Sequence, residues 1–349
     1  MRILIASTCV PFIKGGGTKI VENLAGVLRA RGFETDTVLI PFHSDWQDVP
    51  AQTLALRLLD VTESCGRRVD RLITIRYPAY ALNHPNKVAW FIHHHREAYD
   101  LWGTPWSAMP DTQLGRHYRD MMHRSDECYL RECRKVFTNS RVVADRLRTF
   151  NGLEPDGVLY PPLGDETAFR PGPFGDYLFY ASRVTPIKRQ SLAVHALKYT
   201  SPEVRLVIGG APDLAGYQEQ LHRQVAEEGL GARVRVLGWI SEREKADLMA
   251  GCCGALYLAH DEDSYGYVTL EAFHSAKPVI TLTDSGGPLE VIEDGLNGLV
   301  AEPRAEALAA AMDRLWKDRA AGRAMGERAR QTLTKYRIDW DHVVENLTS

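Results

Sequence analysis

The sequence predicts an α/β protein built from two doubly wound, Rossmann-like domains. Three observations lead to this fold class. The chain has 349 residues, which is more than one ordinary hydrophobic core organises and indicates two domains. Short apolar runs alternate with helical patterns over most of the chain, as in parallel βα units. A stretch rich in glycine and proline, residues 160–176, interrupts this alternation near the middle.

Six apolar runs on each side of this interruption are interpreted as buried parallel strands. Those of the first half are residues 2–7, 35–40, 71–75, 87–92, 135–139 and 157–160. Those of the second half are residues 177–182, 204–210, 233–239, 254–259, 278–282 and 297–301. We therefore predict one domain over residues 1–165 and a second that begins at residue 166. Because ligands of open α/β sheets sit beyond the carboxyl ends of the strands, we expect the domains to face each other across a cleft.

The composition is that of an ordinary globular protein. Hydrophobic residues make up 44% of the chain and charged residues 25%, and the formal net charge is −3. The chain lacks the basic excess of nucleic-acid binding proteins, so we expect no nucleic-acid partner. Its six cysteines show no CxxC spacing, which is typical of free thiols in a reducing compartment and predicts a cytoplasmic protein.

Any membrane contact is expected to be peripheral. The apolar run in residues 1–12 is too short for a signal peptide and is typical of a buried strand. No apolar run approaches the roughly 20 residues of a spanning helix. The segment 131–148 contains the basic residues Arg131, Arg134, Lys135, Arg141, Arg146 and Arg148. Two interpretations stay open, namely solvated helix ends or a surface for anionic lipid or an acidic acceptor.

Three consecutive glycines follow the first predicted strand. Gly15, Gly16 and Gly17 open an amphipathic helix, where backbone N–H groups can approach a ligand and the helix N-terminus favours an anion such as phosphate. The run lacks the GxGxxG spacing of dinucleotide sites and the Gly-Lys-Ser/Thr ending of a P-loop. The alternative is a flexible strand-to-helix turn without a ligand.

A basic pair follows the first predicted strand of the second half. Arg183 and Lys188 lie five residues apart, across a turn that contains Pro186. A guanidinium fork and an ammonium group are suited to binding a diphosphate. Ordinary surface charges are the alternative, but the position directly after a strand favours the binding role.

The segment 260–280 combines an acidic loop with the start of a helix. Asp261, Glu262 and Asp263 lie in the loop, and the helix is expected to begin near Gly266 and to carry Glu271. Its first backbone N–H groups are expected to point into the cleft and to bind phosphate. They belong to Tyr265, Gly266, Tyr267 and Val268.

Two carboxylates stand on either side of this helix start. Asp263 and Glu271 lie eight residues apart, and a carboxylate accepts two hydrogen bonds from vicinal hydroxyls, so the pair predicts contacts with a ribose or a hexose. The acidic triplet also resembles the DxD element of metal-dependent sugar transferases. Because that element lies beside a strand in a one-lobed fold, we predict no metal site here.

The order of these motifs resembles that of the retaining GT-B glycosyltransferases of group 1. That family has a glycine loop in the first half, an R-x4-K pair, an E-x7-E element and a glycine-rich turn before a P-x-E motif. The last of these corresponds here to Gly286, Gly287 and Glu290. The resemblance covers nearly the whole chain and implies a GT-B fold.

The resemblance also implies roles for the residues that match these motifs. Arg183 and Lys188 would hold the donor diphosphate, and Glu271 would bind the ribose hydroxyls. Asp263 stands at the first glutamate position of the family. Its side chain is shorter by one methylene, so that Glu262 or a shifted loop would compensate.

A histidine after the strand at residues 87–92 reaches the reaction centre in this family. Matching the end of the apolar run gives His93. Side chains alternate along a strand, so His93 and His95 would point one way and His94 the other, with an exposed His94 as the alternative. The family's closing helix, which crosses back to the first domain, corresponds to residues 337–349. The second domain would then cover residues 166–336.

The function implied by the resemblance is transfer of a hexose from a nucleotide diphosphate sugar to a hydroxyl of a glycan or lipid-linked acceptor. The anomeric configuration would be retained, no metal or cofactor would be required, and a UDP-sugar is favoured over a GDP-sugar. A cytoplasmic site, including the inner face of the membrane, fits such a pathway. The alternatives are a sugar-nucleotide epimerase or hydrolase with the same fold, and a non-catalytic two-lobed sugar-nucleotide binding protein.

Overall fold

Strands and helices alternate along the chain in the computed structural model, which describes residues 1–12, 16–212 and 216–349. The strands are β1 (Arg2–Cys9), β2 (Glu34–Pro41), β3 (Glu63–Ser64), β4 (Arg67–Arg68), β5 (Arg71–Thr74), β6 (Lys87–Phe91), β7 (Lys135–Thr138), β8 (Gly157–Val158), β9 (Leu178–Ala181), β10 (Leu206–Gly209), β11 (Val234–Val236), β12 (Gly254–Leu256), β13 (Val279–Leu282) and β14 (Gly298–Ala301). The α-helices are α1 (Gly16–Ala30), α2 (Val49–Arg57), α3 (Gln113–Arg131), α4 (Arg141–Asn151), α5 (Gln190–Ala196), α6 (Tyr217–Glu227), α7 (Glu242–Gly251), α8 (Tyr267–His274), α9 (Ala305–Lys317), α10 (Arg319–Lys335) and α11 (Trp340–Thr348). These elements form two units, Met1–Gly164 with Asp339–Ser349 and Asp165–Ile338.

The first unit is built on a parallel sheet with the strand order β2-β1-β5-β6-β7-β8. Every residue of β5 and β6 is buried, as expected for central parallel strands, which need cover on both faces. The strand order reverses between β1 and β5. The carboxyl ends of these two strands therefore form the topological switch point, where open α/β sheets bind their ligands.

The second unit has a parallel sheet with the order β11-β10-β9-β12-β13-β14. Leu178 of β9 pairs with Leu206 on one side and with Gly254 on the other, so β9 is central. Counted within this unit, the order is that of dinucleotide-binding Rossmann folds, and it reverses between β9 and β12. A ligand is therefore expected where the chain leaves β9 and β12.

All twelve predicted strands occur, but the hairpin β3–β4 was missed. Its turn residues Cys65 and Gly66 have φ of 52° and 73°, as the two central residues of a type I′ hairpin require. Each strand has two exposed residues. Such strands carry no apolar alternation, so the hydrophobic pattern on which the prediction rested could not indicate them.

The C-terminal helix α11 belongs to the first unit. Arg71 of β5 donates through Nη1 to the carbonyl oxygen of Leu347 at 2.8 Å. Trp340 donates through Nε1 to the carbonyl oxygen of Leu163, also at 2.8 Å. Asp339 caps the helix by accepting from the backbone N–H of His342. The last residues of the chain are therefore fixed to the unit that residues 1–164 form.

A buried carboxylate lies in the core of the first unit. Asp126 of α3 is fully buried and accepts hydrogen bonds from the hydroxyls of Tyr80 and Tyr99, each at 2.7 Å. Burial raises the pKa of Asp126 to about 7, although the two tyrosine hydrogen bonds act in the opposite direction. The folded protein therefore holds this proton more tightly than the unfolded chain does.

We expect Asp126→Asn to remove a pH-dependent loss of stability. In the wild type, the free energy of unfolding should fall as the pH rises from about 4 to about 7, because ionisation of the buried acid opposes folding. Linkage gives a fall of roughly 2 to 3 kcal/mol between about pH 5 and about pH 8.

Urea unfolding of both proteins at the two pH values measures the difference. Asp120→Asn, at an exposed position of the same helix, should behave as the wild type. Equal pH dependence in the Asp126 variant and the wild type would contradict the prediction.

Candidate functional site

The predicted basic pair lies at the carboxyl end of β9, beside the switch point of the second sheet. Lys188 is buried, whereas Arg183 is exposed on the same turn. The backbone of Lys188 is held on both sides. Its N–H donates to the carbonyl oxygen of Thr185 at 3.0 Å, and its own carbonyl oxygen accepts from the hydroxyl of Tyr180. The turn therefore presents one fixed lysine and one exposed arginine.

The ammonium of Lys188 meets an acid and a phenol that follow β12. Its Nζ donates to the carboxylate of Glu262 and, at 3.1 Å, to the hydroxyl of Tyr257. The same Nζ lies 5.1 Å from the centroid of the Tyr257 ring. Burial, followed by the charge of Glu262, raises the pKa of Tyr257 well above its usual value. Sequence reasoning missed Tyr257, because it lies in an apolar run that indicated only a strand.

Glu262, rather than Asp263, is the acid that pairs with Lys188. Backbone hydrogen bonds fix the position of Glu262 in the loop. The N–H of Glu262 donates to Ser285 and its carbonyl oxygen accepts from Gly287, both at 2.9 Å. Asp263 is half-buried and close enough to Tyr257 to help raise its pKa. The contact of Asp263 with the donor hexose stays a prediction, and so does compensation by Glu262.

The two glycines after β13 allow this close pairing of loops. Gly286 has φ of +70°, and a Cβ there would lie 2.7 Å from the carbonyl oxygen of Glu262. A Cβ on Gly287 would lie 2.3 Å from the carbonyl carbon of Ser264. Both contacts are with backbone, which cannot rotate away. Gly286 and Gly287 thus allow the loop after β13 to pack closely against the acidic loop.

We expect Gly287→Ala to lower the free energy of unfolding by about 1 to 3 kcal/mol, as overpacking does. The added methyl would force the acidic loop away from the loop after β13, and the nucleotide binding expected from the sequence should weaken with it. Thermal and urea unfolding measure the first effect and calorimetry the second. A Cβ on Gly231 would meet nothing within 4 Å, so Gly231→Ala is the control. Wild-type behaviour of the Gly287 variant in both assays would rule out the proposed packing role.

Arg189 joins the loops that follow β9, β12 and β13. It has φ of +56°, which costs an arginine about 1 to 2 kcal/mol. Its guanidinium donates to the carbonyl oxygens of Leu258 and Ala259 at 2.6 and 3.0 Å. It also binds both carboxylate oxygens of Asp284 at 2.8 Å. Burial alone would raise the pKa of Asp284, but these arginine contacts lower it below its usual value. Nothing in the local sequence signals this pair.

Beside this pair lies a depression of about 390 Å³ at the same edge of the sheet. Its lining residues are His260, Asp261, Thr283, Asp284, Gly286 and Leu289. Across the ranges 1–12, 16–212 and 216–349, no group of three or more His, Cys, Asp or Glu side chains is arranged to hold a metal ion.

The helix predicted near Gly266 is α8, which begins at Tyr267. Among the described residues, no side chain caps its start. The N–H of Gly266 lies 3.4 Å from Oγ of Ser264 and is thus already engaged. Tyr265 is buried, whereas Tyr267 and Val268 are half-buried. The phosphate contacts expected of these four amides stay a prediction.

Glu271 of α8 is only 2% exposed. Its Oε1 accepts from Nζ of Lys245 on α7 at 2.5 Å. Burial tends to lower the pKa of Lys245, but the charge of Glu271 outweighs it and the pKa is raised. Sequence analysis did not identify Lys245. The ribose contact expected of Glu271 stays a prediction, and Lys245 would orient the carboxylate that makes it.

The glycine turn of the first unit lies at the switch point of its sheet. Helix α1 begins at Gly16, while Gly15 lies outside the described residues. A Cβ on Gly17 would lie 2.8 Å from Cδ of Arg76, which follows β5. The missing side chain therefore leaves room for this arginine. The anion site expected at Gly16 and Gly17 stays a prediction, and Arg76 adds a cation that sequence reasoning missed.

His93 follows β6 and is half-buried. Its Nδ1 donates to the carbonyl oxygen of His94 at 2.7 Å, so Nε2 is the acceptor of the neutral ring. Burial, and then the charge of Arg76, lowers the pKa of His93 to about 4. The ring is therefore neutral near pH 7, which suits it to accept a hydrogen bond from a hydroxyl.

The alternative of an exposed His94 is wrong. Its ring is 1% exposed, stacks on Tyr99 with centroids 4.2 Å apart, and donates through Nε2 to Oδ1 of Asn151 at 2.7 Å. His95 is also buried, and its Nε2 donates to the carbonyl oxygen of Ser44 at 3.1 Å. Strand β6 ends at Phe91, so strand alternation does not apply to the three histidines.

Several charges of the basic segment 131–148 are paired within the first unit. The ion pairs are Arg131–Glu127, Arg146–Asp100, Arg148–Asp145 and Arg148–Glu154. Lys135 donates to the hydroxyl of Ser349 at 2.8 Å. These contacts favour the interpretation of this segment as solvated helix ends over that of a surface for anionic lipid or an acidic acceptor. Among the described residues, none of the helices has both the length and the apolar character needed to cross a bilayer.

Part of the chain is similar in sequence to known glycosyltransferases. Residues 173–332 match the family model described as Glycosyl transferases group 1. Alpha-1,3/1,6-mannosyltransferase ALG2 of Homo sapiens is 30% identical over 222 residues, which cover 55% of this chain and 52% of that relative. The chain thus spans about half the length of this relative.

Two solved structures have a similar fold over nearly the full length of both chains. Sucrose-phosphate synthase from Thermosynechococcus elongatus has a TM-score of 0.77 at 18% identity and covers 99% of this chain and 97% of its own. HepE from Anabaena, in complex with UDP and glucose, has a TM-score of 0.70 at 18% identity. The match covers 100% of this chain and 99% of the HepE chain. The fold is GT-B, as the sequence predicted. Residues 173–332, which lie within the second unit, are thus similar to group 1 glycosyltransferases.

Proposed function

We propose that the protein is a retaining, metal-independent glycosyltransferase that moves a hexose from a nucleotide diphosphate sugar to a hydroxyl of a glycan or lipid-linked acceptor. The observation that carries this proposal is the buried ammonium of Lys188 at the switch point of the unit that matches the group 1 family. A UDP-sugar is the favoured donor. The UDP in the structure of HepE supports this choice.

The main chemical task is to stabilise the diphosphate leaving group. Lys188 and Arg183 would neutralise the charge that grows on it, together with the first amides of α8. Electrostatic stabilisation of this kind is usually the largest single contribution to catalysis. The backbone of Lys188 is already held at Thr185 and Tyr180, so little reorganisation would be needed.

The remaining groups would position the sugar and the acceptor. We propose that the acceptor attacks from the face that the diphosphate leaves, with the leaving phosphate accepting the acceptor's proton. The neutral ring of His93 would accept a hydrogen bond from a hydroxyl instead of acting as the base. Asp263 and Glu262 would lie near the hexose, and Glu271 would bind the ribose.

Metal independence is supported by the partners of the nearest acids. Without a donor, Glu262 pairs with Lys188 and Asp284 pairs with Arg189, and in the donor complex Arg183 and Lys188 would supply the positive charge that a metal ion could otherwise bring to the diphosphate. A cytoplasmic setting, with a lipid-linked acceptor met at the inner face of the membrane, is also part of the proposal. The six free cysteines support a reducing compartment.

A thermal-shift panel with UDP, GDP, ADP and TDP, each with Mg²⁺ and with EDTA, tests the proposal. A nucleotide at 100 times its Kd should stabilise the protein by about 2.7 kcal/mol. We expect a shift with UDP that does not need metal and that disappears in Arg183→Ala. No shift with any nucleotide, or a shift that requires metal, would overturn it. Sugar release without an acceptor would favour an epimerase or hydrolase, and binding without turnover a binding protein.

A further inference from the structure

The carboxylate of Glu262 contacts the ammonium of Lys188, which the proposed function assigns to the donor diphosphate. We propose that Glu262 neutralises Lys188 while no donor is bound, and that the diphosphate of the donor displaces its carboxylate. This inference rests on the proposed function, because it takes Lys188 as the diphosphate ligand. It adds a residue that controls donor affinity and that does not lie at the matching position of the family motif.

The pairing follows from the burial of Lys188. A buried charge is costly unless it is paired and hydrogen-bonded. The side chain of Lys188 is 9% exposed, and its Nζ contacts the carboxylate of Glu262 and the hydroxyl of Tyr257. A diphosphate and Glu262 are both anions, so together at one ammonium they would repel each other. Donor binding therefore exchanges one anionic partner for another.

The carboxylate is the partner that can move. Its side chain is 23% exposed, compared with 9% for Lys188, so it lies nearer to solvent. The backbone of Glu262 is held by Ser285 and Gly287, and that of Lys188 by Thr185 and Tyr180. Rotation of the Glu262 side chain alone would thus release the ammonium without moving either loop.

Tyr257 keeps the ammonium in place during the exchange. Its hydroxyl accepts from Nζ of Lys188 at 3.1 Å and also bonds to the carboxylate of Glu262. The residue is 5% exposed, and its ring lies so close to Gly266 that an added Cβ there would be 2.3 Å from Cε1. Lys188 therefore keeps one neutral partner after the carboxylate leaves.

Calorimetric titration of UDP and of inorganic pyrophosphate into the full chain tests this exchange. We expect Glu262→Gln to bind both ligands about tenfold more tightly than the wild type, because one charge-assisted hydrogen bond no longer has to be broken. Asp261→Asn removes the same charge from the other neighbouring position, which has no proposed donor contact, and should change both affinities much less. In a Lys188→Ala background, Glu262→Gln should have no effect, because the pair is already absent.

The outcomes separate this inference from the proposed function. UDP binding that is equal or weaker in Glu262→Gln, with normal binding by the wild type, would overturn the exchange and leave the transferase proposal standing. An equal gain in Asp261→Asn would mean that only the net charge of the loop matters, which also overturns it. Absence of UDP and pyrophosphate binding in all variants would overturn both.

Discussion

Lys188→Ala is expected to lower kcat by about 10²-fold or more, the loss seen when one transition-state donor is removed. The physical reason is that, in the proposed mechanism, the ammonium would stabilise the additional charge that appears on the diphosphate as the sugar bond breaks. An interaction that strengthens in the transition state contributes to kcat and not only to KM. Initial-rate kinetics with a UDP-sugar and a glycan acceptor measure both constants.

Lys198→Ala is the matched control for this variant. Lys198 is an exposed lysine of the same unit, so its removal should leave both constants as in the wild type. A thermal melt of each variant shows whether the fold is intact. Near-normal kcat in a folded Lys188→Ala protein would remove Lys188 from the mechanism.

His93→Ala is expected to lower kcat by about 10²-fold, because the neutral ring would lose its contact with a reacting hydroxyl. The pKa of about 4 adds a second expectation. Protonation of His93 should reduce activity only as the pH falls through about 4, so this group should leave the rate level between about pH 5 and about pH 8. A pH–rate profile of the wild type and the variant tests both statements.

Two further variants make the His93 result decisive. His93→Gln keeps a hydrogen-bond acceptor and should recover part of the activity, whereas His222→Ala, at an exposed position of the second unit, should match the wild type. Activity that falls with a pKa near 6 to 7 and becomes level in His93→Ala would show that His93 acts as a titrating base, contrary to our proposal.

The positions of twelve strands and the fold class could be predicted because parallel strands carry their own signal. Strands such as β9 and β10 are buried along their whole length, so each appears as an uninterrupted apolar run. The hairpin β3–β4 has no buried face, and its sequence therefore resembles a loop. The alternative of an exposed His94 was wrong for a different reason, since strand alternation was extended beyond the end of β6.

The location of the candidate site could also be predicted, but its partners could not. Arg183, Lys188 and the acidic loop each follow a strand, and parallel sheets bring such segments to one edge. The contacts there join distant residues, because Lys188 and Glu262 are 74 positions apart. The Arg189–Asp284 pair spans 95 positions. A pattern within one segment of the sequence cannot indicate a contact between two segments that meet only after the sheet has formed.

The sequence by itself determined that this chain is a two-domain α/β protein, where its strands lie, and which turns carry glycine, basic and acidic side chains. These features depend on local composition and spacing, which a single chain displays directly. Only the tertiary structure decided that Glu262 pairs with Lys188, that Lys245 holds Glu271, and that His94 is buried. The physical reason is that burial and long-range pairing depend on the order and register of the strands, which bring side chains together irrespective of their separation in sequence.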